Sequence, residues 1–282
     1  MKKYIRKHWK MLLLSLILIV VAIIWISPVF FAIFSSFKSN KELKQFGKLR
    51  NVFPIEWTVE NFLWVWENAS NPLPSMIINS VLVAVSQVAL CVFVASTSAY
   101  AYERLSFPHK EKLFWSLFGL GMIPGIIALV PQYLLYDAVG LTDTLWVLIT
   151  PYVGNVFNIF LLRNFLHGIP YDLDEAARID GANDLIIYSR ILMPCLYPAL
   201  TVVALFTFTE AWNDLMWPSL AITTPSRLTI AAGIRLLNDA HGAHMERVLA
   251  ACVISIIPTF LIYLGTRKYF LTGLSLGAGI KG

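Results

Sequence analysis

The chain has 282 residues, of which 57% are hydrophobic and only 14% charged, and its mean hydropathy is +0.67. Soluble domains carry about 25% charged residues, so these proportions exclude an ordinary water-soluble core and leave no room for a separate soluble catalytic domain. The net charge of +5 does not point to nucleic acid, because the Lys and Arg residues sit at the ends of apolar runs, where membrane orientation requires them.

A helix needs about 20 apolar residues to cross the hydrocarbon core of a bilayer. Six segments qualify: Met11–Phe34, Met76–Tyr102, Leu113–Tyr136, Leu145–Leu162, Tyr197–Ile222 and Val248–Leu264. The expected fold is an all-α membrane protein, one membrane-embedded domain over 1–282 with six transmembrane helices. The first run follows the basic segment Met1–Lys10. It exceeds the roughly 7–15-residue apolar region of a signal peptide and no small-residue cleavage site follows, so we read it as a spanning helix. In the loop after it, Trp57, Trp64 and Trp66 fit either a short helix at the membrane surface or an aromatic belt. The second run is rich in small residues (Ala84, Ser86, Ala89, Ala95, Ser96, Ser98, Ala99 and Ala101), which let helices approach closely and place it inside the bundle. Pro124, Pro131, Pro151, Pro218 and Pro258 predict kinks rather than breaks. Fourteen of the 22 Lys and Arg residues fall on the side that carries both termini and eight on the other, which places the termini in the cytoplasm. Cys91, Cys195 and Cys252 are odd in number and far apart, so neither a disulfide framework nor a metal site is implied.

Between the fourth and fifth runs, on the expected cytoplasmic side, lies Ile169–Pro194. Pro170 ends the preceding helix, Asp172 or Asp174 can cap a new one, acids crowd its first turn, and Gly181 can supply a left-handed stop. A second short helix is expected from Asn183 or Asp184 to just before Pro194. Ala176 and Ala177 are small, so a partner surface can come within backbone distance. Five acids (Asp172, Asp174, Glu175, Asp180, Asp184) against three bases (Arg163, Arg178, Arg190) make the segment locally negative, suited to a basic groove. These residues leave two readings open: a partner-docking element, or a capped re-entry loop with solvated charges.

The string Glu175-Ala176-Ala177-x-x-Asp180-Gly181-Ala182, followed by Ile191 and Pro194, resembles the EAA motif of ATP-binding-cassette importer permeases. Similar features over most of the chain favour the carbohydrate-uptake, maltose-type branch. They are Asn79-Ser80, Tyr100-Ala-Tyr-Glu-Arg104-Leu, Pro131-Gln-Tyr133 ahead of Gly140-Leu-Thr-Asp-Thr144, Trp212-Asn213, and the ending Gly277–Gly282. Two positions depart from the pattern: Glu103, where a small or apolar residue is commoner, and Met193, where leucine is usual.

The resemblance implies a cytoplasmic coupling helix between spans four and five, about Leu173–Asp180, that seats in a cleft of an ATPase subunit. ATP-driven closure of two ATPases would rock a permease pair between inward-open and outward-open states. It further implies that Glu175 pairs with a basic residue of the ATPase, that Gly181 sets the turn, and that the tail Gly277–Gly282 reaches toward the ATPase dimer. The implied partners are a second permease, two ATPase subunits, an extracellular solute-binding protein and the lipid bilayer of a bacterial plasma membrane. No cofactor is expected in this chain; ATP and Mg would be held by the ATPase, since no Gly-x-x-x-x-Gly-Lys-Ser/Thr occurs here. His-Glu-x-x-His and Gly-x-Ser-x-Gly are also absent, so no enzyme activity is assigned.

The fifth run places Glu210 and Asp214 at i and i+4 of one helical face, at a depth where charge is costly. Glu210, Trp212, Asn213 and Asp214 are therefore candidates for lining a substrate pathway, although for Asp214 simple hydration at the external interface stays open. Gln132, Tyr133, Asn155 and Asn158 offer hydrogen bonds and aromatic faces to a sugar, and equally to the fold. In the external loop Thr223–Arg247, Asp239-Ala-His241-Gly-Ala-His244-Met-Glu246 is a weak metal pattern. No metal is assigned there, and the resemblance suggests contact with the solute-binding protein instead. Asn68-Ala-Ser70 matches a glycosylation acceptor, without meaning in a bacterial importer. Two rivals stand: an importer of an anion or peptide, which would call for cations in the cavity, and a self-sufficient secondary transporter, which predicts inverted repeats and discontinuous helices.

Overall fold

The apolar runs fold as helices, and no strand occurs among the residues that this computed structural model describes, 2–44, 52–68, 73–240 and 244–278, with side chains over 9–44, 52–68, 73–237 and 244–267. The helices are α1 (Lys2–Ser36), α2 (Asn40–Lys44), α3 (Glu60–Glu67), α4 (Leu73–Arg104), α5 (Lys110–Gly121), α6 (Gly125–Ala138), α7 (Leu145–Ile149), α8 (Val156–His167), α9 (Asp172–Ile179), α10 (Asp184–Ile186), α11 (Met193–Asn213), α12 (Met216–Ala221), α13 (Ile230–Ala240) and α14 (Met245–Ala278). Four stretches are long and apolar enough to cross a membrane: Trp9–Ser36, Leu73–Arg104, Asp184–Asn213 and Met245–Arg267. Two bent pairs, Lys110–Gly121 with Gly125–Ala138 and Leu145–Tyr152 with Val156–His167, bring the total to six if each pair is one span.

The third and fourth expected runs are thus interrupted where kinks were expected. At Pro124 the chain turns by 96° between α5 and α6, because proline disfavours a helical residue before it and glycines flank the joint. Between α7 and α8 the bend is 41°. There Asn155 starts a new helix: its side-chain oxygen accepts the Phe157 and Asn158 N–H groups at 3.0 and 3.3 Å. Pro131 and Pro258 lie inside unbroken helices.

The fifth run is shifted as a whole. It starts at Asp184, capped by Asn183, whose oxygen accepts from the Ile186 N–H at 2.9 Å. Instead of ending before Pro194, the helix passes through a widened π-helical turn, Ile187–Leu192, straight into α11. The wider turn relieves the clash of a proline ring with the carbonyl of the preceding turn. The helix ends at Asn213, not Ile222; Asp214 is extended (ψ 116°) and α12 follows as a separate short helix.

The chain divides into two compact units, Met1–Leu73 with Ile234–Ile256, and Pro74–Gly233 with Ile257–Gly282. In the first, Asn61 Nδ2 donates to the carbonyls of Ser36 (2.8 Å) and Lys38 (2.9 Å), closing the end of α1. In the tryptophan-rich loop, Trp64 and Trp66 lie on the short helix α3, and the Arg247 guanidinium sits 4.1 Å from the Trp64 ring centre. None of the apolar window of α1 is buried by the described residues. A surface of that kind calls for lipid or another protein.

In the second unit, α4 buries a stripe that recurs every three or four residues: Ser80, Ala84, Gln87, Cys91, Ala95, Ala99 and Glu103. Of the small residues expected inside the bundle, Ala84, Ala95, Ser96 and Ala99 are buried, while Ser86, Ala89, Ser98 and Ala101 are more open. Against this stripe pack Phe114 of α5, Ile159, Leu162 and Leu166 of α8, Ala177 of α9, and Leu196, Ala199 and Val203 of α11. Polar members of the stripe are paired across helices: Gln87 Nε2 donates to the Leu148 carbonyl (2.8 Å) and Cys91 Sγ accepts from Asn158 Nδ2 (3.2 Å).

The turn before α7 is fastened by Asp143, held at φ 56°. Its carboxylate accepts the N–H groups of Thr223 and Thr224 (3.0 and 2.9 Å), the Thr224 hydroxyl (2.7 Å) and Arg227 (2.9 Å). Burial alone would raise this carboxyl, but the Thr224 and Thr223 bonds and Arg227 outweigh it and bring it down from 3.8 to about 2. A depressed carboxyl contributes stability that is complete above its unfolded value and lost as pH falls toward its folded one. The difference in thermal unfolding temperature between the solubilised protein and its Asp143→Asn variant is therefore expected to be constant above about pH 5 and to shrink between about pH 4 and 2.

Candidate functional site

The helix α9 carries the strongest motif, and one buried pair sets its position. Arg104, the last residue of α4, places Nε 2.9 Å from Asp174 Oδ2, with side chains 1% and 9% exposed. This is an ion pair without hydrogen-bond alignment. Arg104 also donates to the Ile169 carbonyl at 2.8 Å, and its guanidinium lies 4.0 Å from the Tyr171 ring centre. Asp174 is thus an anchor rather than a cap, and Asp172 is the first helical residue; no side chain caps α9.

The end of α9 follows the expected form. Gly181 adopts φ +87°, its N–H bonds the Arg178 carbonyl (3.0 Å), and the Ala182 N–H bonds the Ala177 carbonyl (2.9 Å). Those two bonds make a Schellman stop. An added Cβ at Gly181 would meet nothing within 4 Å, so a side chain there would be opposed by backbone strain alone, about 1–2 kcal/mol.

The two adjacent alanines divide. Ala177 faces the bundle core, and only Ala176 points outward. The negative charge is also smaller than the residue count suggested, because Asp174 is paired with Arg104, and Arg178 donates to Asp184 at 2.6 Å. Glu175, Asp172 and Asp180 remain exposed, as do apolar side chains that nothing among the described residues covers: Ile179 is 86% and Leu185 70% exposed. Pro194 lies inside the continuous helix, exposed, two residues beyond the π-helical segment.

A second candidate region is a cavity of about 550 Å³ lined by Gln87, Gly125, Tyr152, Asn155, Glu210, Ala211, Asn213 and Asp214. Four of the expected pathway residues meet there. Asp214 does not share a helical face with Glu210, since α11 stops before it; the break re-aims it into the same cavity. There Asp214 accepts from the Tyr152 hydroxyl (3.1 Å) and the Trp217 N–H (3.3 Å). The Glu210 carboxylate makes no hydrogen bond among the described residues. Asn155 is committed to capping α8, and Asn213 donates to the Thr209 carbonyl (2.9 Å).

Trp212 is 2% exposed and stacked on Phe208 at 5.6 Å, outside this cavity. Gln132 lines a separate cavity of about 460 Å³ with Leu135, Tyr136, Val139 and Pro151; Tyr133 lines neither. Asn158 is buried, donating to Cys91 and Thr207. His244 lies 2.8 Å from Asn40 Nδ2 and 2.9 Å from Glu246 Oε1. No group of three metal-ligating side chains occurs among the described residues. His241, Ser70 and Gly282 lie outside the described residues.

Gln87, Tyr152 and the Arg104–Asp174 pair were not singled out as a site from the sequence. Gln87 could have been: it is a lone amide in the middle of an apolar run, where polar side chains mark functional or packing contacts. Tyr152 carries no such signal.

A family model described as the binding-protein-dependent transport system inner membrane component matches residues 4–271. The putative ABC transporter permease protein ORF2 of Caldicellulosiruptor sp. (strain Rt8B.4) is 33% identical over 258 residues, covering 90% of this chain and 91% of its own. The galactooligosaccharides transport system permease protein GanQ of Bacillus subtilis (strain 168) is 28% identical over 282 residues, covering 99% and 98%. The fold is similar to that of a chain in the crystal structure of a bacterial ABC transporter involved in the import of the acidic polysaccharide alginate, with TM-score 0.79 and 24% identity over 94% of this chain and 98% of that one.

Proposed function

The chain belongs to the family of binding-protein-dependent transport system inner membrane components, and on that premise we propose that it is the permease subunit of an ATP-driven importer for a sugar or oligosaccharide. The observation that carries the coupling part is α9, an eight-residue helix fixed from behind by Arg104–Asp174 and presenting uncovered Ile179 and neighbouring Leu185. An isolated helix of that length is marginal in water, so its seating serves to present a surface. Two ATPase subunits, which hold ATP and Mg, are the partners we assign to it, with Glu175, Ala176, Asp180 and Gly181 at the contact.

Relatives named for arabinooligosaccharides, galactooligosaccharides and maltodextrin support the substrate class. We place six spans in a bacterial plasma membrane with both termini cytoplasmic, the bent pairs counting as one span each. A second permease completes the path, a role for which the uncovered face of α1 is suited. An extracellular solute-binding protein delivers the substrate, and a relative in fold was crystallised in complex with such a protein.

The two bent pairs give the secondary-transporter rival one supporting feature, since such proteins use broken helices. That rival leaves Ile179 and Leu185 without an occupant. Uptake of labelled galactooligosaccharide by cells expressing the complete gene set separates them. ATP depletion should abolish uptake and dissipation of ion gradients should not; the reverse would favour the rival. Glu175→Lys and Gly181→Pro should each lose ATPase co-purification and uptake, whereas retention of both by both variants would overturn the docking assignment.

For the cavity, Glu210→Ala should leave ATPase co-purification intact. Loss of one charge-assisted hydrogen bond to sugar hydroxyls should raise the half-saturating concentration for uptake about tenfold. Loss of co-purification instead would make Glu210 structural.

A further inference from the structure

At the end of α4 two successive residues reach in different directions. Arg104 holds α9. Glu103, the last member of the buried α4 stripe and 7% exposed in its side chain, holds α8. Its Oε2 accepts from Arg163 Nε at 3.2 Å, and its Oε1 lies 2.8 Å from His167 Nδ1. The same Arg163 continues to Glu111 of α5 and lies 4.3 Å from the Phe114 ring centre. Tyr171 joins the two halves: its hydroxyl donates to the Glu103 carbonyl at 2.8 Å and lies 3.3 Å from the Glu103 carboxylate, while its ring lies against Arg104.

We propose that Glu103 is a positioning residue for energy coupling: it locks the ends of α4, α5 and α8 into one body with α9, so that displacement of α9 moves three membrane helices together. This rests on the coupling role of α9 argued above. The reason is mechanical. Nonpolar packing between helix ends allows sliding, whereas a buried carboxylate with three directional partners on two other elements has one arrangement, and coupling between sites needs such discrete arrangements. Arg104 alone would transmit motion of α9 only to α4. Through Glu103 and Arg163 the motion reaches α5 and α8, and Asn155, at the far end of α8, lines the Glu210 cavity.

The test uses the complete transporter in proteoliposomes, with the three native cysteines replaced by alanine and Asn213→Cys as a reporter in the cavity. Labelling by a fluorescent maleimide is timed with and without trapping by Mg-ATP and vanadate. In the parent, trapping should change the labelling rate. Glu103→Ala should keep ATPase co-purification and ATP hydrolysis but shrink the trapping effect roughly tenfold, the scale of one lost charge-assisted contact. His167→Ala removes one arm at a side chain 78% exposed, so it tests the clasp without risk to folding, and should shrink the effect in the same direction. Glu103→Asp should restore part of what alanine loses.

A full-sized trapping effect in Glu103→Ala, or in His167→Ala combined with Arg163→Gln if Glu103→Ala does not assemble, overturns the proposal. Failure of the underlying coupling role looks different: Glu175→Lys would retain ATPase co-purification, and the parent itself would show no trapping effect.

Discussion

Asp174→Ala is expected to abolish uptake and ATPase co-purification while the spanning helices remain folded. Among the described residues the carboxylate is the one anionic partner of a guanidinium whose side chain is 1% exposed, and removing it leaves that charge stranded among the Tyr171 ring and the Ile169 carbonyl. Breaking a buried pair from one side costs about 3–5 kcal/mol. An eight-residue helix has no reserve of its own to absorb that, so α9 should leave its seat. Limited proteolysis within 170–183 is the direct readout, with helix content by circular dichroism as the control. Replacing both partners by apolar residues, Arg104→Met with Asp174→Leu, should restore much of the seating, because such pairs substitute for buried ion pairs with little loss. Unchanged protease resistance in Asp174→Ala would contradict the anchoring role.

Ile179→Asp should act from the opposite side. This side chain is 86% exposed among the described residues, so the substitution leaves folding and α9 seating intact. At a docking surface an apolar anchor of this kind is worth about 2–4 kcal/mol, so affinity for the ATPase should fall by roughly 30- to 1000-fold. Wild-type binding of the ATPase by Ile179→Asp would mean that α9 faces solvent, as the solvated-loop alternative has it.

The contrast between these two variants shows which parts of the site were legible in the sequence. Gly181 was legible because a left-handed stop has one common residue type, and its φ of +87° with the two Schellman bonds follows from local chemistry. The next helix start was legible to within one residue: Asn183 or Asp184 was expected, and Asn183 is the cap. Asp174 was not: as one of three acids in a first turn it reads as a cap or a dipole contact, and its partner lies 70 positions away on another helix, where no local pattern reaches. The fate of Ala177 likewise depends on which face of α9 meets the bundle. Asn155 and Pro124 mark true helix starts, but whether a proline kinks or breaks a run depends on the neighbours that re-satisfy its backbone. Asp214 shows the limit of periodicity. The i, i+4 spacing from Glu210 assumed a helix continuing to Ile222, whereas the chain leaves α11 at Asn213 and brings Asp214 to the cavity by a different route.

The most direct test of coupling through α9 is a photo-crosslinkable phenylalanine derivative introduced at position 179 of the intact transporter. Irradiation should yield an adduct between this chain and the ATPase subunit, with a yield that changes when Mg-ATP and vanadate are added. If the ATPase co-purifies with the labelled chain but no adduct with it forms in any nucleotide state, α9 is not the element that receives the stroke.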